Sequence, residues 1–470
     1  MAEIKPIQWV ADKPFTWIGV IIAPFALFFY LSHQGVAQET AIFLAIVCVT
    51  LICWMFSLVA DFVPALLALL LLLLFGLVPN QVALSGFSSD GFLIAFSVMG
   101  LGAVISTSGL AHRYTLWLLK TIPAHTFAYQ AAIFFTGFFL NPVMPTITAR
   151  AVITGPILNN IVDHLDGPTR EKSSTLLYLS GLDGINVLSP VFLTAAPANL
   201  MVFGLFPLQE QMAFQFMSWA FAASITGLIL LVGYFMLTAL YFRGYQRVQI
   251  EKKDIEKKWR SLEKMSWPEW AALIAIFLLT LGIVTSPLHK ISLPLVTFSI
   301  ICFLLIIGAL PRDVFIGKID WAFLFLLASM IGFMASMNHM GLDKALVDRF
   351  GGLKEFMRLD FARFVLVLAG VTLVVRIFIP LNSAILILSA ALLPLASGAG
   401  ISPWVVGFII LIMSETAFFG YQSPYILLFR NLTHVSYSER KVQIFHALLV
   451  LVKLGAIFAS IPFWRSIGVL

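Results

Sequence analysis

The sequence predicts an all-α polytopic membrane protein, with about eleven spanning helices and two re-entrant hairpins in two inverted repeats. Three observations carry this expectation. Hydrophobic residues make up 60% of the 470 and charged residues only 11%, with a mean hydropathy of +0.98, where a soluble domain carries about a quarter charged residues. Apolar runs of spanning length recur along the whole chain. The sequence also resembles itself at a shift of 232 residues.

About 20 apolar residues cross the hydrocarbon layer as a helix. That ruler places spans near 15–32, 41–58, 62–79, 88–110, 174–206 and 214–242 in the first half. In the second half it places them near 268–286, 292–310, 320–342, 403–430 and 443–466. The first run, Phe15 to Leu31, contains Pro24 and no small-residue cleavage site, so it reads as a retained helix. Two further stretches, 126–163 and 361–397, are interrupted by Asn141-Pro142-Val143-Met144-Pro145 and by Pro380-Leu381-Asn382-Ser383, and read as hairpins that enter and return. The organisation is then an N-terminal helix in 1–40, a first repeat in 41–242, a basic connector in 243–267 and a second repeat in 268–470.

Charge sets the orientation. The net charge is +6, and eight of the 29 Lys and Arg fall between Arg243 and Lys264, so the excess is a topology signal rather than a nucleic-acid footprint. With that segment inside, the loops near 33–40, 80–87 and 207–213, which lack Lys and Arg, fall outside. Arg113, Lys120, Arg170, Lys172, Arg312, Lys318, Arg430, Arg440 and Lys441 fall inside. The N-terminus is expected inside and the C-terminus outside a cytoplasmic (inner) membrane. The exception is 343–360, where Lys344, Arg349, Lys354 and Arg358 face Asp343, Asp348, Glu355 and Asp360; it reads as a surface amphipathic segment.

The 232-residue shift lays Gly76-Leu77-Val78-Pro79 on Gly308-Ala309-Leu310-Pro311, Gly100 on Gly332 and Gly109-Leu110 on Gly341-Leu342. A slip of six then pairs Pro142 with Pro380 and Pro156 with Pro394. An odd number of spans separates equivalent points, which inverts the copies and opens one hairpin from each side. Backbone broken at mid-membrane survives only where a cavity, protein or bound ions satisfy its polar groups. Helix N-termini at such breaks favour anions, and freed carbonyls favour cations.

The layout resembles the divalent-anion:sodium symporter family, within the ion-transporter superfamily. The resemblance rests on Phe87-Ser88-Ser89 leading to Ser108-Gly109-Leu110-Ala111, on Ile319-Asp320-Trp321 leading to Met340-Gly341-Leu342, and on Thr194-Ala195-Ala196-Pro197-Ala198-Asn199. It implies a homodimeric elevator carrier. In that family a Ser-Asn-Thr motif at each hairpin tip holds substrate carboxylate and sodium. Here the matching positions read Thr146-Ile147-Thr148 and Ala384-Ile385-Leu386, with Asn382-Ser383 as a displaced equivalent, and Tyr421-Gln422-Ser423-Pro424-Tyr425 lacks the family's Asn.

The candidate anion ligands are therefore Asn141, Thr146, Thr148, Thr194, Pro197, Asn199, Asn382, Ser383, Ser423 and Pro424, which offer hydroxyl, amide and helix-terminus donors beside the breaks. Ser and Thr in membrane helices also bond back to their own backbone, which is the competing reading for each singly. Ionisable residues within spans are costly and point to function: Arg150, Asp183, Arg376 and Glu415 stand out. Arg150 and Arg376 are candidates to bind the anion, or else to pair with structural carboxylates. Asp183, beside Gly181 and Gly184, and Glu415 are candidates for cation coupling.

Cys48, Cys53 and Cys302 lie in apolar runs without metal-ligand spacing, and the eight histidines form no metal pair. No phosphate-cradling loop and no paired catalytic motif is present. These observations argue against an enzyme, an ATP-driven pump and a resident cofactor, with sodium the one candidate ion. They leave a secondary carrier of small dicarboxylate- or sulfate-like anions, cation-coupled or exchanging, and as alternatives a cation:proton antiporter or an anion channel. The partners expected are a small anion, the lipid bilayer and a second copy of the chain.

Overall fold

Lipid offers backbone groups no hydrogen-bond partner, so the apolar runs must close their bonds internally as helices. A computed structural model describes residues 14–56, 58–123, 125–142, 144, 146–163, 170–243, 253–418, 422 and 424–470. Among the helices of eight or more residues, α1 (Pro14–His33) is the N-terminal helix, and the first repeat holds α2 (Gln38–Met55), α3 (Phe62–Leu74), α4 (Asp90–Thr107), α5 (Leu110–Thr121), α6 (Thr126–Leu140), α7 (Ile147–Val162), α8 (Arg170–Gly184), α9 (Pro197–Gly204) and α10 (Phe216–Tyr241). The connector contributes α11 (Lys253–Arg260). The second repeat holds α12 (Trp267–Val284), α13 (Leu293–Ile306), α14 (Trp321–His339), α15 (Leu342–Arg349), α16 (Gly351–Leu359), α17 (Phe361–Phe378), α18 (Leu381–Gly398), α19 (Pro403–Ser414), α20 (Pro424–Leu432) and α21 (Glu439–Ser466).

Nine of the described helices are long and apolar enough to cross a membrane, and α3, α6, α13 and α19 are shorter apolar helices. The two interrupted stretches are the helix pairs α6–α7 and α17–α18. The spans at 174–206 and 403–430 are broken into α8 and α9, and into α19 and α20.

Backbone conformation repeats with the sequence. Gly76, Gly109, Gly308 and Gly341 all take positive φ, between 61° and 90°, so these two matched pairs make the same left-handed turns. Short helical turns at Asn80–Ala83 and Arg312–Lys318 follow the first pair of turns, and α5 and α15 follow the second. Packing is reciprocal between the halves. Helix α4 lies on α13 while α14 lies on α3, and α7 lies on α20 while α18 lies on α9. Such exchange is what a pseudo-two-fold axis between inverted copies generates.

The loops separate into two ends. At one end α11 packs on α5, where Arg113 forms a bidentate pair with Glu269 at 2.7 and 3.2 Å and Lys120 lies 5.4 Å from the Trp259 ring. A second set of contacts joins Thr175 to the backbone of Ser438, and Arg430 to Glu439. Another group of loops is joined by Glu210, which accepts from Ser402 Oγ and the backbone N–H of Trp404 and so caps the N-terminus of α19. Ser402 N–H also donates to Val469 O, which gathers the 207–213 loop, the end of α18 and the last residues of the chain. Phe214, Trp219 and Trp464 then ring Trp404, with centroids 5.2 to 6.0 Å away, locking α10, α19 and α21 together.

Candidate functional site

The two hairpin tips and the two helix breaks meet in the interior. Thr194 Oγ1 donates to Pro142 O at 2.8 Å, tying the first break to the first tip. Asn186 Nδ2 donates to the Tyr425 hydroxyl at 2.7 Å, and that hydroxyl donates to Glu415 Oε2 at 3.3 Å, tying the first break to the second. Close approach of α6 to the end of α8 makes this possible. A Cβ on Gly184 would lie 2.5 Å from Phe134 O, and one on Gly137 would lie 2.5 Å from the Gly184 carbonyl carbon.

Charge is concentrated where the breaks meet. Arg150 (0% exposed), Arg376 (2%), Lys453 (1%), Asp183 (2%) and Glu415 (4%) are all buried. Glu415 lies in the fields of Lys453, Arg376 and Arg150, and Lys453 in those of Glu415 and Asp183. Asp183 Oδ1 lies 3.0 Å from His446 Nε2, whose Nδ1 lies 2.9 Å from Ala417 O. Asp183, Asn186, Glu415, Thr416, Tyr425, His446 and Lys453 line a cavity of about 10 Å³, room for about one water. A larger cavity, about 370 Å³, lies elsewhere, between α2, α14, α15 and α18, and is lined by Phe43, Trp54, Met330, Phe333 and Leu386. Its walls are largely apolar, with Arg349 among the lining residues, and suit a hydrocarbon chain.

The arginines differ in how much of their donor set is engaged. Arg376 donates from Nε, Nη1 and Nη2 to Ser414 O, Ile379 O and Gln422 O at 2.8 to 3.0 Å, so it staples the second break to the first arm of its hairpin. Arg150 donates only Nη2, to Ala195 O at 2.7 Å. Its Nε and Nη1 are buried without a partner among the described residues, as are both polar atoms of the Asn141 side chain, Ser383 Oγ and Glu415 Oε1. In their ordinary charge states the three buried cations exceed the two buried carboxylates by one positive charge. Among the described residues the remaining buried acid, Glu269, is matched by Arg113.

Of the other candidates, Thr146 accepts from the Ala149 N–H and caps α7. Thr148 is exposed. Asn199 Nδ2 donates to Ser189 O and Phe192 O, each at 2.8 Å, which satisfies the irregular backbone of the first break. Pro197 and Pro424 open α9 and α20. Asn382 lies near the Asp61 carboxylate, in the turn before α3, close enough to act on it. Ser423 lies outside the described residues, as do Val143, Pro145 and Tyr421.

The sequence pattern of the sodium:sulfate symporter transmembrane region matches residues 13–444. The chain belongs to that family. It is a family of membrane transporters, not of enzymes. Relatives include the L-tartrate/succinate antiporters of Shigella dysenteriae (strain Sd197), 26% identical over 273 residues, and of Escherichia coli (strain K12), 26% identical over 272. Both matches cover 55% of this chain and 54% of the relative, so the chain spans about half the length of the curated relatives it matches. Among solved structures, the YdaH transporter of Alcanivorax borkumensis gives a TM-score of 0.53 at 14% identity, covering 83% of this chain and 88% of that one. MtrF of Neisseria gonorrhoeae gives 0.52 at 16%, covering 83% of each. At such identities the likeness is one of fold.

Sequence reasoning had missed two members of this symporter-family chain's buried cluster, Lys453 and His446. Lys453 was legible as the lone charge in the apolar run from Ala447 to Ile461. His446, seven residues earlier, lies two helical turns away on the same face.

Proposed function

We propose that the chain is a secondary carrier that exchanges small dicarboxylates across a cytoplasmic membrane by elevator-type alternating access, working as a homodimer. The observation that carries this is Arg150, wholly buried, with two nitrogens unpartnered among the described residues and with unpartnered Asn141 and Ser383 at the hairpin tips. A guanidinium presents paired donors that match a carboxylate fork. The N-termini of α7, α9, α18 and α20, all beside the breaks, add partial positive charge.

Exchange follows from the cations being covalent. A coupling ion leaves with its anion and lets an empty carrier return, whereas Arg150, Arg376 and Lys453 stay. Moving the empty site then carries an uncompensated buried charge, which costs several kcal/mol. The antiporter names of the relatives support the same reading. The N-terminus inside and C-terminus outside remain the orientation favoured by the basic connector.

The test is uptake of labelled succinate, tartrate, citrate and sulfate into liposomes preloaded with the same anion. Dicarboxylate counterflow is expected, with Arg150→Gln abolishing it while the purified variant keeps its unfolding temperature. Sodium/proton exchange without any anion would instead assign Asp183 and Glu415 to cation antiport.

A further inference from the structure

We propose that Lys453 is a resident cation, its ammonium standing where a dissolved coupling ion would bind at the second helix break. The proposal rests on the reading of the chain as an anion carrier. A helix end leaves its last four carbonyls without intrahelical partners, and the end of α19 accounts for all four. Leu411 O accepts from the Glu415 N–H at 3.1 Å and Met413 O from the Thr416 N–H at 3.3 Å. Ser414 O accepts from Arg376 Nε at 3.0 Å and Ile412 O from Lys453 Nζ at 2.9 Å.

Lys453 Nζ also donates to Thr416 Oγ1 at 2.8 Å, with Glu415 and Asp183 close enough to act on its charge. A backbone carbonyl at the negative end of a helix, a hydroxyl and nearby carboxylates are the oxygen surroundings in which broken-helix carriers hold a monovalent ion. The ammonium is anchored midway along the 28 residues of α21 and is 1% exposed, so it does not snorkel to water.

The first break is built otherwise. Gly181 O and Asp183 O accept from backbone N–H groups, Ser189 O and Phe192 O from the Asn199 amide, and Pro190 O from the Trp219 indole. Asp183 has His446 beside it in place of an ammonium. The first break has its own cation in Arg150, which reaches Ala195 O, whereas among the described residues the Lys453 ammonium bonds only to groups of the second break, with Asp183 of the first close enough to share its field. The ammonium satisfies the second break and offsets Glu415 without dissociating, so no ion gradient does work through that position.

The experiment compares the full chain with Lys453→Ala and Lys453→Ser, which remove the ammonium and leave Ile412 O, Thr416 and Glu415 facing an open position. Each is reconstituted for succinate exchange and, separately, melted in detergent, in sodium chloride or choline chloride. The native protein is expected to behave alike in both salts. In choline the variants are expected to lose exchange by roughly tenfold or more, and sodium restores most of it while raising the melting temperature saturably. Equal behaviour of the variants in sodium and choline, by exchange and by melting, overturns the proposal. So does a native protein that itself needs sodium. If the native protein exchanges no anion, the carrier reading fails, while the sodium-dependent melting of the variants still decides whether the position binds a cation.

Discussion

Arg150 and Asn199 show how differently two buried polar residues at one break are used. Arg150 has two nitrogens without a partner among the described residues, whereas Asn199 donates both amide hydrogens to backbone carbonyls. A charge-assisted hydrogen bond is worth about 1.5–3 kcal/mol. Arg150→Gln is therefore expected to weaken succinate binding by roughly ten- to a hundredfold with little change in melting temperature, read by titration calorimetry. Asn199→Ala removes two buried hydrogen bonds, at about 0.5–1.5 kcal/mol each, and leaves the Ser189 and Phe192 carbonyls with only the backbone N–H groups of Phe192 and Ala195 as donors. It is expected to lower the melting temperature by several degrees and to reduce exchange only in proportion to the folded fraction. Both residues were legible in the sequence as polar groups beside proline-marked breaks. Their division of labour was not, because it depends on carbonyls of Ala195, Ser189 and Phe192, whose accessibility only the three-dimensional path of the break determines.

Among the elements, the hairpins and broken helices were readable because proline and asparagine interrupt runs that otherwise cannot stop in lipid. The glycine turns at 76, 109, 308 and 341 were readable because a left-handed residue is recognisable by type. The contacts between elements were less visible. Nothing in the local sequence says that Glu210 caps a helix beginning nearly two hundred residues later, or that Arg113 meets Glu269. Removing the first contact with Glu210→Ala is expected to destabilise by about 0.5–2 kcal/mol, the range for losing a helix N-cap, measured as a lower unfolding midpoint in detergent. Gly184 sets a stricter limit, since an added Cβ would meet the backbone of α6 at 2.5 Å. Gly184→Ala should cost about 1–3 kcal/mol and displace Asp183, so that stability and exchange fall together. Unchanged stability would mean that α6 and α8 do not approach as described.

The whole molecule is two copies of one plan that surround a shared charged centre, and its two ends differ in charge. Replacing Cys48, Cys53 and Cys302 and then introducing Lys257→Cys or Leu208→Cys, both at exposed positions, gives a direct map. A membrane-impermeant thiol reagent should label the second from outside intact cells and the first only after the membrane is opened; the reverse pattern would invert the assigned orientation. In the proposed mechanism the centre joins the two halves: cations that cannot leave make return of the empty carrier costly, so exchange is the expected mode of transport. The most direct test is efflux of labelled succinate from sodium-free liposomes. Efflux is predicted to be slow into buffer alone and to accelerate sharply when unlabelled succinate is added outside. Net uptake into empty liposomes driven by a sodium gradient, with no acceleration by external succinate, would contradict the account.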